Sequence, residues 1–297
     1  MQQQQPTRKK PRRHRKTNKR AAAASIPQQK CIIVIARYSE NLEWIRTPPF
    51  NKYRLIIYNK GLDDNFAKTD NVLEVIKLPN VGRESHTYIW HIINTHAKYS
   101  PQITVFLPGS VTAKFKMGDA QTMMRLLQQN NYTRAVLVGF LHTVAEMEKQ
   151  FERVETTYTS NNRENAANNV TSNVLQSKWR PYGEWLKHMK LRATNFITLY
   201  GTTSVHRNTL AQYSAAYWRS LLRQLQPSSA KPTQKTLAEY SNPETGFFFE
   251  RSWATILYSP KNLLYDWKLK REIENTDPNL IFENTDKILG KIPTEIK

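Results

Sequence analysis

The chain has 297 residues, of which 39% are hydrophobic and 11% aromatic, and a formal net charge of +20, so most of it is expected to fold. The apolar run near its start, Cys31–Ala36, is far shorter than the ~20 residues that cross a bilayer, which argues against a membrane-spanning protein. No apolar segment with a small-residue cleavage site follows Met1, so we do not expect secretion. Cys31 is the only cysteine, which excludes an internal disulfide framework and a cysteine-based zinc site.

The first 30 residues differ sharply from the rest of the chain. Residues 1–30 contain ten Lys and Arg residues and no Asp or Glu, and nearly all of this charge lies in residues 8–20. These like charges repel each other and the segment has no apolar periodicity, so we predict a disordered basic tail. Such a tail is typical of a nuclear-import signal, of a contact to nucleic acid or another acidic partner, or of a solubilising extension.

After the tail, apolar runs that predict buried strands alternate with amphipathic segments that predict helices. In chain order, the predicted elements are a strand beginning at Cys31, strands Tyr53–Asn59 and Val72–Leu78, helix Arg83–Tyr99, strand Ile103–Leu107, helix Ala120–Gln129 capped by Asp119, strands Ala135–Leu141 and Phe196–Tyr200, and helices Thr209–Leu225 and Phe247–Tyr258.

This alternation predicts an α/β fold with a mixed, mostly parallel sheet that helices cover on both faces. We expect a single domain over residues 31–297, with exposed polar loops near 155–175 and 226–243 and a charged, partly helical C-terminal segment. In such sheets the loops at the carboxyl ends of the strands build the ligand site. Three loops are therefore candidates: those after Ile35, after Tyr58 and after Leu107.

The loop after the first strand contains Arg37 and Glu40. Arg37 could bind a phosphate or carboxylate with two hydrogen bonds, and Glu40 could accept hydrogen bonds from hydroxyl groups. Alternatively, Arg37 and Glu40 pair with each other and close the loop.

Residues 79–86 lie between a predicted strand and the start of a predicted helix. Free backbone N–H groups at a helix N-terminus favour an anion, Gly82 permits close approach of the backbone, and Arg83 adds a positive charge. This is the best candidate phosphate site, although it lacks the P-loop and dinucleotide-binding motifs. The alternative is an ordinary capped turn, with Glu84 placed favourably at the positive helix end.

The loop after Phe106-Leu107 lacks the carboxylates that hold a divalent metal in many nucleotide-sugar transferases. No Asp-x-Asp follows this strand, and the next carboxylate is Asp119. Because Mg²⁺ and Mn²⁺ prefer oxygen ligands, we expect no metal site here and name no cofactor.

Glu250 lies among aromatic residues in the last predicted helix. Desolvation by these residues would raise its pKa, which suits a general base. Alternatively, Arg251 or another arginine holds Glu250 ionised in a structural pair.

Five segments together resemble the family named domain of unknown function 3431, which occurs in fungi, algae, bacteria and large DNA viruses. The segments are IIVIARYSENLEWI, YRLIIYNKG, LPNVGRESHTYIWHII, ITVFLPG and PETGFFFERSWATIL, which span most of residues 31–258. The family is similar in its strand order to glycosyltransferases of the GT-A type. Where relatives often carry Gln-Gly after the fourth of these strands, this chain has Pro108-Gly109.

The resemblance implies a GT-A-like fold and a shared set of site positions. These positions are Arg37, Glu40, Asn59, Lys60, Asn80, Gly82, Arg83, Glu84 and Glu250. It implies a glycosyltransferase that binds a nucleotide-sugar and transfers the sugar to a hydroxyl acceptor, with Glu250 as the catalytic base and Arg37, Lys60 and Arg83 stabilising the leaving group.

The alternative is a non-catalytic structural protein on a transferase-like scaffold, whose residues 8–20 bind nucleic acid or an acidic partner. Either protein is expected in the nucleus or the cytoplasm. The basic tail would also suit a virus-encoded protein that acts inside the host cell.

Overall fold

The computed structural model of the chain describes residues 30–113, 116–149, 174–259 and 261–273. The strands are β1 (Cys31–Arg37), β2 (Arg54–Asn59), β3 (Val72–Lys77), β4 (Ile103–Pro108), β5 (Val136–Leu141), β6 (Phe196–Thr198), β7 (Thr203–His206), β8 (Leu263–Asp266) and β9 (Arg271–Glu272). The helices are α1 (Arg83–Asn94), α2 (His96–Tyr99), α3 (Lys116–Gln129), α4 (Tyr182–His188), α5 (Arg207–Leu210), α6 (Ala215–Leu222), α7 (Gln234–Glu239) and α8 (Glu244–Ile256). Two 3₁₀ turns, Glu43–Arg46 and Phe50–Lys52, follow β1, and residues 144–149 are also helical.

The strands divide between two mixed sheets. The five-stranded sheet has the order β3-β2-β1-β4-β7, in which β1 to β4 are parallel and β7 runs antiparallel to β4. The four-stranded sheet has the order β6-β5-β8-β9, with a parallel pair, β5 and β8, at its centre. The predicted mixed α/β fold is confirmed, and its strands are distributed over two sheets.

Helices cover both faces of the five-stranded sheet because successive side chains of its strands point in opposite directions. In β1, Ile32 and Val34 pack in one hydrophobic cluster with residues of α1, α4, α6 and α8. Ile33 and Ile35 pack in a second cluster with α3 and the two 3₁₀ turns. The unbroken apolar sequence of β1 therefore reflects burial on both sides, as predicted.

Ser204 links the two sheets where β5 passes β7. The hydroxyl of Ser204 accepts a hydrogen bond from the backbone N–H of Val136 and donates one to the carbonyl of the same residue, both at 2.8 Å. All of these groups are buried, so the serine satisfies a backbone donor and a backbone acceptor that would otherwise lack partners.

Several predicted boundaries differ from the structure. Asp119 does not cap its helix, because α3 already includes Lys116. The predicted helix Arg83–Tyr99 is interrupted at Thr95, whose backbone is not helical, and Thr209–Leu225 is divided into α5 and α6. The strand predicted at Phe196–Tyr200 ends at Thr198.

Predictions for three further segments fall wholly or partly outside the described residues. Residues 1–29, 150–173 and 274–297 lie outside them, and these include almost all of the predicted tail, most of the loop near 155–175 and the end of the C-terminal segment. The connection at 226–243 is described and contains α7.

Candidate functional site

The carboxyl edge of the five-stranded sheet brings together the segments that contain the predicted site residues. Arg37 at the end of β1 is paired in register with Asn59 at the end of β2, and Ala36 is paired with Pro108 at the end of β4. The antiparallel strand β7 begins at the same edge, where Thr203 pairs with Phe106. The turn that precedes β7 therefore lies beside the loops that follow β1, β2 and β4.

Arg37 binds protein groups from the loops after β1 and β2. Its Nε donates to the carbonyl of Glu40 at 3.0 Å, and its Nη1 donates to Asn59 Oδ1 at 2.9 Å and to the carbonyl of Asp63 at 2.8 Å. Its Nη2 forms a 2.7 Å ion pair with the Asp63 carboxylate, and the guanidinium lies over the Phe66 ring. The side chain is 1% exposed, and its carboxylate partner is Asp63 rather than the predicted Glu40, of which it binds only the backbone carbonyl.

Asn59 completes the same hydrogen-bond network. Its Oδ1 also accepts from the backbone N–H of Gly61 at 2.9 Å, while its Nδ2 donates to the Asp63 carbonyl and to Asp64 Oδ1, both at 2.7 Å. Because both ends of the buried side-chain amide have protein partners, Asn59 fixes the loop that follows β2.

Lys60 is buried beneath the turn that begins α1. Its Nζ donates to the carbonyl of Val81 at 2.6 Å and to the carbonyl of Arg83 at 2.5 Å. Burial lowers the pKa of Lys60 to about 7, with Arg83 contributing in the same direction and Glu84 opposing. At neutral pH the amine is therefore only partly protonated, and it holds the turn in place.

The turn before α1 requires a glycine at position 82. Gly82 has φ +62°, and a Cβ there would lie 2.6 Å from the carbonyl oxygen of Leu225. Its N–H donates to the carbonyl of Tyr240 at 2.8 Å, so this backbone donor is bound to protein rather than open to an anion. The neighbouring Asn80 is partly buried and its side chain makes no hydrogen bond to the described residues.

Arg83 spans from the start of α1 to α8. Its Nη1 donates to Asn242 Oδ1 at 2.9 Å, its guanidinium lies 4.2 Å from the centre of the Phe247 ring, and its Nε is 3.6 Å from Glu84 Oε2. The Nε itself makes no hydrogen bond, and the side chain is 25% exposed. The sequence predicts three cations that bind phosphate, Arg37, Lys60 and Arg83. Arg83 is the most exposed of the three, and its Nε is a donor without a hydrogen-bond partner among the described residues.

Three carboxylates, those of Glu40, Glu84 and Glu250, act electrostatically on the phenol of Tyr88. Tyr88 is fully buried, and its hydroxyl donates to the carbonyl of Gly201 at 2.6 Å. Burial raises the pKa of Tyr88 well above its usual range, and the three glutamates each raise it further. These side chains therefore lie within electrostatic reach of one hydroxyl, although they come from three separate parts of the sequence.

Two of these carboxylates have pKa values shifted in opposite directions. Burial raises the pKa of Glu40, even though its Oε2 accepts hydrogen bonds from the backbone N–H groups of Tyr38 and Ser39. Burial also acts to raise the pKa of Glu84, but Arg83, Lys116 and Lys60 outweigh it and the net shift is downward. The cations around Glu84 therefore favour its ionised form, whereas the burial of Glu40 disfavours the charged form of that carboxyl group.

Glu250, in α8, lies beside the turn between β6 and β7. Its Oε1 accepts a hydrogen bond from the backbone N–H of Tyr200, and its Oε2 is 3.5 Å from Arg251 Nη1. The Glu250 side chain as a whole is 17% exposed. The predicted alternative of an Arg251 contact is thus present, and the same side chain also remains accessible from outside.

The sequence analysis missed Tyr88, Lys116 and the Gly201 turn. Tyr88 follows Glu84 by four positions, so both side chains lie on one face of α1. This spacing could have indicated that Tyr88 lies near the predicted site. Lys116 donates to Ser110 Oγ at 3.0 Å and acts electrostatically on Glu84. Nothing in the sequence indicates that Lys116 acts on Glu84, because Lys116 lies in α3 and Glu84 lies in α1.

The site thus combines carboxylates that can accept hydrogen bonds or protons with cations that can neutralise an anion. Among the residues described, no group of three or more His, Cys, Asp and Glu side chains has the arrangement of a metal site. No helix in the described part of the chain has the length and apolar character needed to cross a membrane.

The comparison with protein families identifies one family. The model of the family described as protein of unknown function (DUF3431) matches residues 32–265, which include every predicted site residue from Arg37 to Glu250. No curated protein matches the chain at a significant level. The resemblance seen in the sequence is therefore confirmed, and the chain belongs to the DUF3431 family.

Proposed function

We propose that the chain is a glycosyltransferase with a GT-A-like fold that binds its nucleotide-sugar donor at the carboxyl edge of the five-stranded sheet. The observation that carries the proposal is that the loops at this edge lie side by side, and that Glu40, Glu84 and Glu250 all act electrostatically on Tyr88 while Arg83 and Lys116 act on Glu84. Carboxylates suit the hydroxyl groups of a sugar, and the cations suit the diphosphate of a donor.

The residues divide into supporting and reacting groups. Arg37, Asn59 and Lys60 bind protein groups and hold the loops in position, so they support the site rather than touch the donor. Arg83 and Lys116 face the developing charge on the diphosphate as the bond between the sugar and the diphosphate oxygen breaks.

Glu250 acts as the base in this scheme. The acceptor oxygen forms a bond to the anomeric carbon, its proton passes to the Glu250 carboxylate, and the electron pair of the broken bond leaves with the nucleoside diphosphate. The partial exposure of the Glu250 side chain, at 17%, supports this assignment.

The proposal is tested by titrating the full-length protein with UDP-, GDP- and ADP-sugars in a calorimeter and by following release of the nucleoside diphosphate. Glu250→Gln should still bind the donor but lose 10²-fold or more in nucleotide release, the range expected for a general base. The control Glu239→Gln removes an exposed carboxylate on α7 and should keep wild-type activity. Absence of binding for every donor, or full activity in Glu250→Gln, would contradict the proposal.

A second candidate function belongs to the basic tail. Residues 8–20 contain no acidic residue, and a segment of this kind binds polyphosphates through charge alone. We propose that it contacts nucleic acid or acts as a nuclear-import signal. Deleting residues 8–20 should flatten the dependence of DNA affinity on salt concentration and shift a fluorescent fusion from nucleus to cytoplasm; if neither changes, the tail has neither role.

A further inference from the structure

A cavity of about 510 Å³ lies at the edge of the five-stranded sheet opposite the candidate site. It is bounded by the end of α1, by α2, and by α5 and α6, near the position where β4 begins and β7 ends. The helix α1 has 12 residues, about 18 Å in length, and its first turn belongs to the candidate site while its last turn lines the cavity. The two sites are therefore separate.

One part of the cavity wall is apolar and aromatic. Ile92 from α1, Leu210 from α5 and Trp218 from α6 line it, and all three are buried. The ring of Tyr213 completes the wall and contacts the Trp218 ring edge-on, with 5.5 Å between centroids. A cavity of this size and lining falls in the range that holds small organic ligands.

Two side chains that contain nitrogen, Arg207 and His96, line the cavity. Each has at least one nitrogen atom without a protein partner among the described residues. Arg207 is partly buried, and its guanidinium makes no hydrogen bond or ion pair with any residue that the structure describes. His96 Nδ1 is 3.3 Å from Thr104 Oγ1, which leaves Nε2 for another partner. Burial lowers the pKa of His96 to about 4, so the ring is neutral at pH 7.

An unpaired, partly buried guanidinium beside apolar walls has a specific chemical consequence. Partial burial removes some of the water around the cation, and no carboxylate among the described residues pairs with it. A ligand carboxylate can supply two parallel hydrogen bonds to a guanidinium, which is the strongest neutralising contact available to it. The apolar walls would take the rest of such a ligand.

We propose that this cavity binds a small organic carboxylate with an apolar or aromatic body, whose carboxylate pairs with Arg207 and whose body packs against Leu210, Tyr213 and Trp218. His96 Nε2 lies at the same cavity and supplies a neutral hydrogen-bonding group. This binding site is independent of the proposed transferase activity, because none of its residues belongs to the carboxyl-edge site.

The test uses two probes with the same body, 1-naphthaleneacetate and 1-naphthaleneacetamide, titrated calorimetrically into the full-length protein. The carboxylate should bind at least ten times more tightly than the amide. Arg207→Gln should reduce the affinity for the carboxylate to that for the amide. The control Arg219→Gln removes an exposed arginine of α6 that does not line the cavity, and should leave both affinities unchanged.

A second variant locates the binding without depending on charge. Ala211→Trp places a large side chain at an exposed lining position and should abolish binding of both probes, while circular dichroism checks that the protein is folded. Absence of binding by the wild type overturns the proposal. Equal affinities for the two probes, or unchanged binding in folded Arg207→Gln or Ala211→Trp, overturn it as well.

Discussion

Lys60 shows how a buried position changes what a cationic side chain can do. Its amine lies between the carbonyls of Val81 and Arg83, and burial lowers its pKa to about 7. A neutral amine still has two N–H groups, so deprotonation need not break these two hydrogen bonds. Lys60 is therefore better suited to fixing the start of α1 than to neutralising a phosphate.

The lowered pKa of Lys60 predicts a pH dependence of stability. Between pH 7 and the unfolded pKa near 10.5, the unfolded chain binds a proton at Lys60 that the folded chain has lost, so stability increases with pH. In Lys60→Met this contribution disappears, and the difference in unfolding free energy between wild type and variant should grow by up to about 1.4 kcal/mol per pH unit between pH 7.5 and 9.

Urea titrations at several pH values measure this difference. The control Lys52→Met changes an exposed lysine and should follow the wild-type pH dependence. A difference between wild type and Lys60→Met that is constant with pH would show that Lys60 keeps its proton in the folded protein.

Gly82 and Gly118 form a matched pair for testing the turn before α1. Gly82→Ala should destabilise the protein by about 1–3 kcal/mol, because φ is +62° and the new Cβ would meet backbone atoms of Leu225. Gly118→Ala, in α3 with no atom within 4 Å of the new Cβ, should stabilise it by about 0.5–1 kcal/mol. Chemical denaturation of the two variants measures both effects, and equal shifts would contradict the assignment of the turn.

The sequence predicts which loops contribute to the site but not which side chains remain available to a ligand. The position of Arg37 at the end of an apolar strand was sufficient to place it at the sheet edge. Its partner Asp63 lies 26 residues away in a polar loop, and no local pattern indicates that contact. Whether an arginine binds a ligand or its own protein is decided by such distant partners.

The segment from Thr209 to Leu225 illustrates the same limit for a whole element. Its apolar spacing predicts one helix, yet the chain ends α5 at Leu210 and starts α6 at Ala215. Ser214 interrupts the helix because its hydroxyl accepts a hydrogen bond from the backbone N–H of Tyr217, which begins α6 separately. Serine favours a cap over a helix interior, and the hydrophobic pattern alone does not distinguish the two.

The cap at Ser214 can be tested directly. Ser214→Ala removes the acceptor for the Tyr217 N–H and should reduce stability by about 1 kcal/mol, whereas Ser214→Asp keeps an acceptor and should stay close to the wild type. Thermal unfolding of the three proteins under the same conditions gives the comparison. If alanine is tolerated as well as aspartate, the hydroxyl does not stabilise the start of α6.

Across the whole molecule, the parallel order of β1 to β4 explains why the site residues meet. The alternation of strands and helices was enough to predict a shared carboxyl edge, and the structure brings the loops together there. The division into two sheets was not predicted, since the short strands β7, β8 and β9 lack the long apolar runs that mark β1, β2 and β4. Their pairing depends on neighbours far away in sequence.

Cys31 offers a measurement of global unfolding because it is the only cysteine of the chain and lies at the start of the central strand β1. It is 3% exposed, and burial raises the pKa of its thiol. We expect negligible reaction with an aromatic disulfide reagent at pH 8 in buffer, and complete reaction in urea with a midpoint equal to that of circular dichroism. Rapid labelling of the native protein would contradict the buried position.

The double hydrogen bond of Ser204 has a consequence for how the two sheets can move. One hydroxyl satisfies both backbone groups of Val136, so any sliding of β5 past β7 breaks both contacts in the same step. Sliding of β5 past β7 at this junction is therefore opposed by two hydrogen bonds at once. Ser204→Ala would leave the backbone N–H and carbonyl of Val136 without partners and would weaken the contact between β5 and β7.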